Sequence, residues 1–264
     1  MGTYLDRILQ TKRWQAATDR RSLDDLVREA RLTPEPQPFA ETLAAVAESG
    51  ELAVIAEVKR RSPMKGDLAP DLDAADLAAA YAAGGAVCLS VLTDAEFFGG
   101  SFYDLADARD GADLPVLRKD FTVSPNDVAD TRIVGADAVL LIVAALDDEE
   151  MADFHALASE LGLDALVEVH DRADLDRALD IGATLIGVNQ RDLHTFEVDA
   201  DRAASLASCM PDGVVRVAES GIRGPADGRR LADAGYHAVL VGESIVTAPD
   251  PAAAVAELRA ARQG

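Results

Sequence analysis

The sequence is poor in lysine, aromatic residues and cysteine, and it has no long hydrophobic run. Acidic residues number 47 against 25 lysines and arginines, which gives a net charge of −22 and a pI near 4.4. This charge repels nucleic acid and anionic membranes, so the composition argues against both as partners. The chain contains only four lysines, which are Lys12, Lys59, Lys65 and Lys119.

The acidic, lysine-poor composition favours a salt-rich cytoplasm, where screening weakens self-repulsion, and so a halophilic habitat. The four lysines are then candidates for specific roles rather than for a solvated surface. The amino terminus has no apolar core of an export signal, and no apolar stretch reaches the roughly 18 residues that cross a bilayer. We therefore expect a monomeric protein of the cytoplasm with no membrane partner.

Cysteine and histidine give no sign of a metal or disulfide site. Cys88 and Cys209 form neither a C-x-x-C pair nor a disulfide framework, and Cys88 reads as a small core residue. The four histidines stand apart along the chain, without an H-E-x-x-H arrangement, and no G-x-S-x-G motif occurs. We therefore expect no metal, and hydrolysis by a Ser-His-Asp triad is disfavoured.

Short apolar runs recur between long stretches rich in Ala, Leu, Asp and Arg. Each run is apolar throughout rather than alternating, as buried parallel strands are. We predict eight strands, at residues 52–58, 86–92, 114–120, 138–143, 165–169, 184–189, 214–220 and 238–242.

Helical patterns separate these strands, and several of them close on a glycine just before the next strand. Eight βα units in a chain of 264 residues fit a (β/α)8 TIM barrel. A doubly wound open sheet is the alternative, but eight parallel units without an antiparallel edge favour closure. We assign residues 51–264 to a single α/β barrel domain.

Residues 1–50 precede the first strand and read as an N-terminal helical extension. "TYLDRILQTKRWQAA" and "SLDDLVREARL" are two amphipathic patterns, and "AETLAAVAES" is a third helix after the Pro-rich "TPEPQPF". We expect this extension to cover one end of the barrel.

Charged residues interrupt the strands near their carboxyl ends, where the active site of such a barrel lies. Glu57 and Lys59 share one face of strand one, which is costly in a buried strand unless they are paired or used. Lys119, Glu168 and Glu219 end or nearly end later strands. Taken singly, each has a structural alternative as an ion pair or a solvated rim charge.

Together these two lysines and three glutamates can supply a general acid, a general base and an electrostatic clamp. We expect the pKa of a lysine beside another lysine, or out of water, to be lowered. We expect the pKa of Glu168, set in the apolar "LVEVH", to be raised.

Two glycine-containing turns follow the last two strands, in "AESGIRGPAD" and "VGESIV". Backbone N–H groups at such turns cradle phosphate, and loops seven and eight are its usual site in these barrels. In loop one, "RRSPMKG" adds Arg61, Ser62 and Lys65 for a second anionic group. A small phosphorylated molecule is the predicted ligand.

An ordered set of motifs resembles the indole-3-glycerol phosphate synthase family. From about residue 51 to 247 these are "IAEVKRRSPMKG", "SVLTDAEFFGGS", "PVLRKDF", "GADAVLLIV", "VEVHD", "IGVNQRDLHTFEVD", "VAESGI" and "VGES". The resemblance implies closure of the indole ring of 1-(2-carboxyphenylamino)-1-deoxyribulose 5-phosphate, with loss of carbon dioxide and water, in tryptophan biosynthesis. It implies neither a metal nor an organic cofactor.

The resemblance also implies roles for single residues. Lys119 matches the general acid that protonates the ribulose carbonyl, Glu168 the carboxylate that assists dehydration, and Lys59 the lysine that binds the substrate carboxylate. Lys59 also matches a candidate acid in dehydration, and the resemblance leaves the division of acid roles between the two lysines open. Glu57 matches a carboxylate that orients a lysine and a substrate hydroxyl. The further matches are Asn189 and Glu219 for positioning, Arg191 near the anthranilate carboxylate, Phe98, Phe121, Leu140 and Leu193 around the aromatic ring, and Ser62, Ser220, Gly221, Gly242 and Glu243 at the phosphate.

Glu243 departs from family members that carry serine, and we expect its backbone N–H to bind phosphate while its side chain points away. Two rival functions stay open at this point. An enzyme like phosphoribosylanthranilate isomerase is disfavoured because strand one has no cysteine. A catalytically silent barrel would have lost its acid and base, yet Lys119 and Glu168 are both present.

Overall fold

Three helices precede the first strand in the computed structural model, which describes residues 3–192 and 197–260. The first helix begins after Thr3, whose side chain and that of Asp6 form a capping box. The second presents Leu26 and Ala30 to the core. Their bounds are α1 (Tyr4–Thr18), α2 (Leu23–Ala30) and α3 (Phe39–Glu48).

Eight parallel strands close into a barrel, and two very short strands form a hairpin after the first of them. The strands are β1 (Ala53–Val58), β2 (Arg61–Ser62), β3 (Gly66–Asp67), β4 (Cys88–Leu92), β5 (Val116–Lys119), β6 (Ala138–Ile142), β7 (Asp164–Val169), β8 (Leu185–Asn189), β9 (Val215–Glu219) and β10 (Ala238–Val241). The order around the barrel is β1-β10-β9-β8-β7-β6-β5-β4. The predicted (β/α)8 barrel is confirmed, and the antiparallel β2–β3 hairpin was not predicted.

Helices follow the barrel strands and cover their outer face, which is why the strands are apolar on both faces. Side-chain caps start several of them, as at Ser124, where Pro125 occupies the first helical position. The bounds are α4 (Ala74–Ala83), α5 (Ala95–Phe98), α6 (Phe102–Gly111), α7 (Pro125–Ile133), α8 (Asp148–Glu160), α9 (Arg172–Asp180), α10 (Arg202–Ala207), α11 (Pro225–Asp233), α12 (Glu243–Val246) and α13 (Pro251–Arg259).

Helix α3 closes the amino-terminal end of the barrel. Phe39 and Leu43 are fully buried there, each contributing about 2 kcal/mol of hydrophobic stabilisation. The backbone N–H of Ala40 donates to the carboxylate of Asp164, the first residue of β7, at 2.9 Å.

Helix α1 lies at the opposite, carboxyl-terminal end. Lys12 Nζ contacts Asp94 at 2.9 Å and Asp120 at 2.6 Å, in the segments after β4 and β5. Arg13 donates to the carbonyls of Val123 and Ala145, both at 3.0 Å. The expectation that the preceding helices cover one end is thus corrected, because they contact both ends.

Candidate active site

A cavity of about 310 Å³ opens among the carboxyl ends of the barrel strands, a size that suits a small metabolite. The strand ends and the loops that follow them build its wall. Fifteen residues that the sequence motifs singled out line it, namely Glu57, Lys59, Ser62, Lys65, Phe98, Lys119, Phe121, Glu168, Asn189, Arg191, Glu219, Ser220, Gly221, Gly242 and Glu243.

Lys119 ends β5 and lies between two carboxylates. Its Nζ is 3.2 Å from Glu168 Oε2 and 3.4 Å from Glu219 Oε2. Burial alone would lower the pKa of Lys119, but Glu168 and Glu219 outweigh it and the pKa is raised. The expected lowering is wrong because the nearest charges are carboxylates rather than a second lysine. Lys119 is therefore an ammonium at neutral pH, with a proton to donate.

Glu168 lies on β7 and is held at both oxygens. Oε1 accepts a hydrogen bond from Asn189 Nδ2 at 3.0 Å, and Oε2 accepts one from Lys119. Burial pushes its pKa up, but Lys119 and then His170 offset this, so the pKa of Glu168 is lowered. The expected raised pKa of Glu168 is wrong, since its apolar strand delivers it to a cationic neighbour.

Glu219 ends β9 and is the carboxyl group that titrates near neutrality. Burial, reinforced by Glu168 and Glu57 and only partly opposed by Lys119, raises its pKa to about 7. Among the described residues its Oε1 has no hydrogen-bond partner. That oxygen lies over Gly187 of β8, where a Cβ would come within 2.2 Å of it. Glycine at 187 therefore makes room for the carboxyl group.

Glu57 and Lys59 form an ion pair at the end of β1, with Lys59 Nζ 2.7 Å from Glu57 Oε1. Glu57 is buried, and Lys59 is the first residue after β1. Both side chains line the cavity. Gly242 makes room for this carboxylate too, because a Cβ there would lie 2.3 Å from Glu57 Oε1. The two charges therefore compensate each other while both side chains remain on the cavity wall.

The β2–β3 hairpin stands at the cavity mouth. It contributes Ser62 to the wall, and Lys65 from its turn forms an ion pair with Glu243 at the start of α12. The Glu243 side chain thus engages the hairpin, and Lys65 neutralises its charge.

The loops after β9 and β10 form the adjoining part of the wall. Ser220 and Gly221 both adopt left-handed backbone conformations, with φ of 66° and 72°. Gln190 Nε2 donates to the Ser220 carbonyl at 2.7 Å, and Ser244 Oγ donates to the Ile222 carbonyl at 2.9 Å. The second bond ties the loops after β9 and β10 together, and the first ties the loop after β9 to the residue that follows β8.

Phe98 and Phe121 form an aromatic pair in the wall, with ring centroids 6.2 Å apart. The expectation that Leu140 lines this region is corrected. Leu140 is buried in the middle of β6, and Ile142, two residues further and on the same face, reaches the cavity instead. Leu193, also expected here, lies outside the described residues.

Two further wall residues lie inside motifs quoted above but were not singled out as site residues. Arg223 follows the Ser-Gly turn after β9, and its place in that predicted phosphate loop was a usable signal. Val198 lines the cavity and forms an isolated antiparallel bridge with Arg191, and no local pattern indicated this.

Neither a metal cluster nor a membrane span is present in the part of the chain that the structure describes. No group of three or more His, Cys, Asp or Glu side chains there could hold a metal ion. None of the described helices combines the length and apolarity needed to cross a bilayer.

A family model and two relatives match almost the whole chain, and a third relative matches about three quarters of it. The family model for indole-3-glycerol phosphate synthase matches residues 5–258. The enzyme of that name from Laribacter hongkongensis is 46% identical over 261 residues, covering 98% of this chain and 99% of its own. The one from Mycobacteroides abscessus is 48% identical over 257 residues, covering 97% and 94%. The one from Nocardioides sp. is 55% identical over 203 residues, covering 77% and 78%.

Solved structures share the fold at much lower identity. Thiamine phosphate pyrophosphorylase from Pyrococcus furiosus has a TM-score of 0.60 at 18% identity, covering 80% of this chain and 96% of its own. (S)-3-O-geranylgeranylglyceryl phosphate synthase from Thermoplasma acidophilum has a TM-score of 0.59 at 12% identity, covering 85% and 98%. These two likenesses concern the barrel alone. The resemblance in the motifs is confirmed by the family model and the relatives, and the chain belongs to the indole-3-glycerol phosphate synthase family, whose members act in tryptophan biosynthesis.

Proposed function

We propose that the cavity closes the indole ring of 1-(2-carboxyphenylamino)-1-deoxyribulose 5-phosphate by acid–base catalysis with its own side chains. The observation that carries this proposal is the placement of Lys119 between Glu168 and Glu219. A buried ammonium between carboxylates is a proton donor fixed in position, as general acid catalysis requires.

Lys119 is the acid of the first step. The ring carbon that bears the carboxylate attacks the ribulose carbonyl carbon, while Lys119 donates a proton to the carbonyl oxygen, which becomes a hydroxyl group. The bond to the carboxylate then breaks, carbon dioxide leaves, and its electron pair restores the aromatic ring. Negative charge that develops on the carbonyl oxygen is stabilised by the ammonium in a site that excludes most water.

Glu168 serves in the dehydration that follows. The hydroxyl group leaves as water after taking a proton from an acid, and Glu168 accepts a proton from the substrate as the ring double bond forms. Its lowered pKa keeps it anionic and able to act as that acceptor. Lys59 is the candidate acid for this step, since it lies on the cavity wall with Glu57 orienting its ammonium.

Two parts of the wall suit the two ends of the substrate. Phe98 and Phe121 offer apolar faces for the anthranilate ring, and Arg191 with Lys59 supplies cations for its carboxylate. At the other end, the tied loops that carry Ser220, Gly221, Gly242 and Glu243 offer backbone N–H groups for the phosphate.

We further propose that the chain works as a monomer in a salt-rich cytoplasm. Its net charge of −22 supports this, because repulsion between like-charged copies opposes association, and salt is needed to screen the repulsion within each folded copy.

The proposed reaction is tested by supplying the purified protein with the carboxyphenylamino-deoxyribulose phosphate in molar potassium chloride. We expect indole-3-glycerol phosphate, detected by its fluorescence, together with one carbon dioxide per product. For the same substrate without its phosphate, we expect a KM about a hundredfold higher or more, since charge-assisted hydrogen bonds are lost. Absence of product from the phosphorylated substrate at every salt concentration would contradict the proposal.

A further inference from the structure

His170 is a mostly buried histidine beside the active site to which the proposed mechanism assigns no role. It follows Glu168 by two residues at the end of β7, and its side chain is 13% exposed. Neither ring nitrogen has a hydrogen-bond partner within the described part of the chain. Two unpaired buried nitrogens are costly in a neutral ring, so a structural packing role explains this histidine poorly.

The ring lies between two carboxylates. Its Nε2 is 3.6 Å from Glu168 Oε1, and its Nδ1 is 3.6 Å from Asp174 Oδ2. Asp174 is itself fixed in the first turn of α9, where its N–H donates to Asp171 and its Oδ2 accepts the backbone N–H of His170 at 3.0 Å. Asp174 at the start of α9, the imidazole of His170 and the carboxylate of Glu168 therefore lie in a row.

We propose that His170, held by Asp174, is a positioning residue that donates from Nε2 to Oε1 of Glu168 and keeps that carboxylate turned toward the substrate. A shift of a few tenths of an ångström converts the 3.6 Å contact into a hydrogen bond. Asn189 Nδ2 already donates to the same oxygen, so Oε1 is anchored from two sides and Oε2 is left to Lys119 and the substrate. This inference rests on the proposed role of Glu168.

The charges around the ring also favour the donor form of His170. Glu168 faces it from β7 and Asp174 from α9, while Arg202 of α10 opposes them. Burial lowers the pKa of His170, but the two carboxylates outweigh it and the pKa is raised. An imidazolium there in turn favours the anionic form of Glu168.

Two substitutions separate position from charge. His170→Leu removes the donor, and we expect kcat to fall about tenfold with KM nearly unchanged, since one charge-assisted hydrogen bond is lost. The acidic limb of the kcat–pH profile should move to higher pH, because Glu168 then loses a neighbouring positive charge. His170→Gln keeps a neutral donor, so it should recover most of the plateau rate while its acidic limb stays shifted.

A folded His170→Leu enzyme with the wild-type kcat and the wild-type acidic limb would contradict this inference. A loss confined to KM, or to the denaturant midpoint of unfolding, would also contradict it and mark a structural role. Glu168→Gln is measured alongside. If that variant keeps the wild-type rate, the proposed function of Glu168 fails, whereas loss in Glu168→Gln with none in His170→Leu refutes the histidine alone.

Discussion

At the scale of single residues, a missing side chain leaves room for a carboxyl group of the cavity wall. Gly187 in β8 leaves the space that Glu219 Oε1 occupies, and a Cβ there would approach that oxygen to 2.2 Å. Glu219 in turn contacts Lys119 at 3.4 Å. The position of the proposed acid is thus set partly by a residue with no chemistry of its own.

We therefore expect Gly187→Ala to fold but to lose activity. Displacement of Glu219 disturbs the geometry around Lys119, and misplacement by about 1 Å can cost about a hundredfold in rate. The measurement is kcat together with the denaturant midpoint of unfolding. Gly224→Ala is the matched control, because a Cβ there meets nothing within 4 Å and the backbone is extended. Equal rates for both variants would refute the steric role of Gly187.

Glu219 also links stability to pH. Its folded pKa of about 7 lies above the ordinary value of 4.5, so the folded state binds the proton more tightly. The stability that this group contributes is therefore fully present below about pH 4.5 and is lost as the pH rises through about 7. We expect wild type to lose about 2 kcal/mol more than Glu219→Gln between pH 5 and pH 8.

Chemical denaturation of both proteins at the two pH values measures this difference. The exposed Glu149→Gln on α8 is the control and should keep the wild-type slope. A Glu219→Gln variant with the same pH dependence as wild type would show that the carboxyl group is already ionised across this range.

The sequence identified which residue types end the strands but not which of them become neighbours. Lys119 and Glu168 are far apart in the chain, and only the closure of the barrel places Glu219 on the other side of Lys119. The pKa values of Lys119 and Glu168 depend on that proximity, so both were predicted in the wrong direction. The chemistry of a residue could be read locally, whereas its electrostatic surroundings could not.

At the scale of secondary-structure elements, the β2–β3 hairpin is joined to the start of α12 across the cavity mouth. The ion pair between Lys65 and Glu243 makes this connection, and both residues line the cavity. Without Lys65, the Glu243 carboxylate would face the proposed phosphate position uncompensated. Repulsion between the Glu243 carboxylate and the substrate phosphate would then weaken binding.

We expect Lys65→Ala to raise KM about tenfold with a smaller effect on kcat, a cost of about 1.4 kcal/mol in binding. The double variant Lys65→Ala/Glu243→Ala should recover part of that loss, because the repelling carboxylate is also gone. A double-mutant cycle on KM measures the coupling. Additive effects of the two substitutions would show that the pair does not act on substrate binding.

Element prediction succeeded where a pattern was long and failed where it was short. The eight barrel strands carried continuous apolar runs, and their observed bounds fall within about two residues of the predicted ones. The hairpin has two residues in each strand, which are too few to show a repeating pattern of apolar and polar residues in the sequence. Helix α1 showed its amphipathic pattern, but its reach to the carboxyl-terminal end depends on Lys12 contacting Asp94 and Asp120, which are distant in the chain.

At the scale of the whole molecule, charge is distributed unevenly between the surface and the site. The chain carries −22, yet the cavity is lined by five cations and five anions. Three of the four lysines line it, and the fourth is paired with Asp94 and Asp120 close by. The cations are Lys59, Lys65, Lys119, Arg191 and Arg223, and the anions are Glu57, Asp120, Glu168, Glu219 and Glu243.

This distribution predicts dependence on salt. Repulsion among surface carboxylates should destabilise the protein in dilute buffer, and a Debye length near 3 Å in molar salt should suppress it. We expect both the melting temperature and kcat to rise as potassium chloride increases from about 0.05 to about 1 M. Full activity and an unchanged melting temperature in dilute buffer would contradict the halophilic interpretation.

The central claim is that Lys119, held by Glu168 and Glu219, donates the proton that drives ring closure. The most direct test of this claim is the kcat of Lys119→Ala for indole-3-glycerol phosphate formation, at saturating substrate in molar potassium chloride. Substrate binding is measured on the same sample. Arg28→Ala on the exposed face of α2 serves as the control. We predict that kcat falls about a thousandfold in Lys119→Ala while the substrate still binds. A wild-type rate in that variant would contradict the claim and transfer the acid role to Lys59.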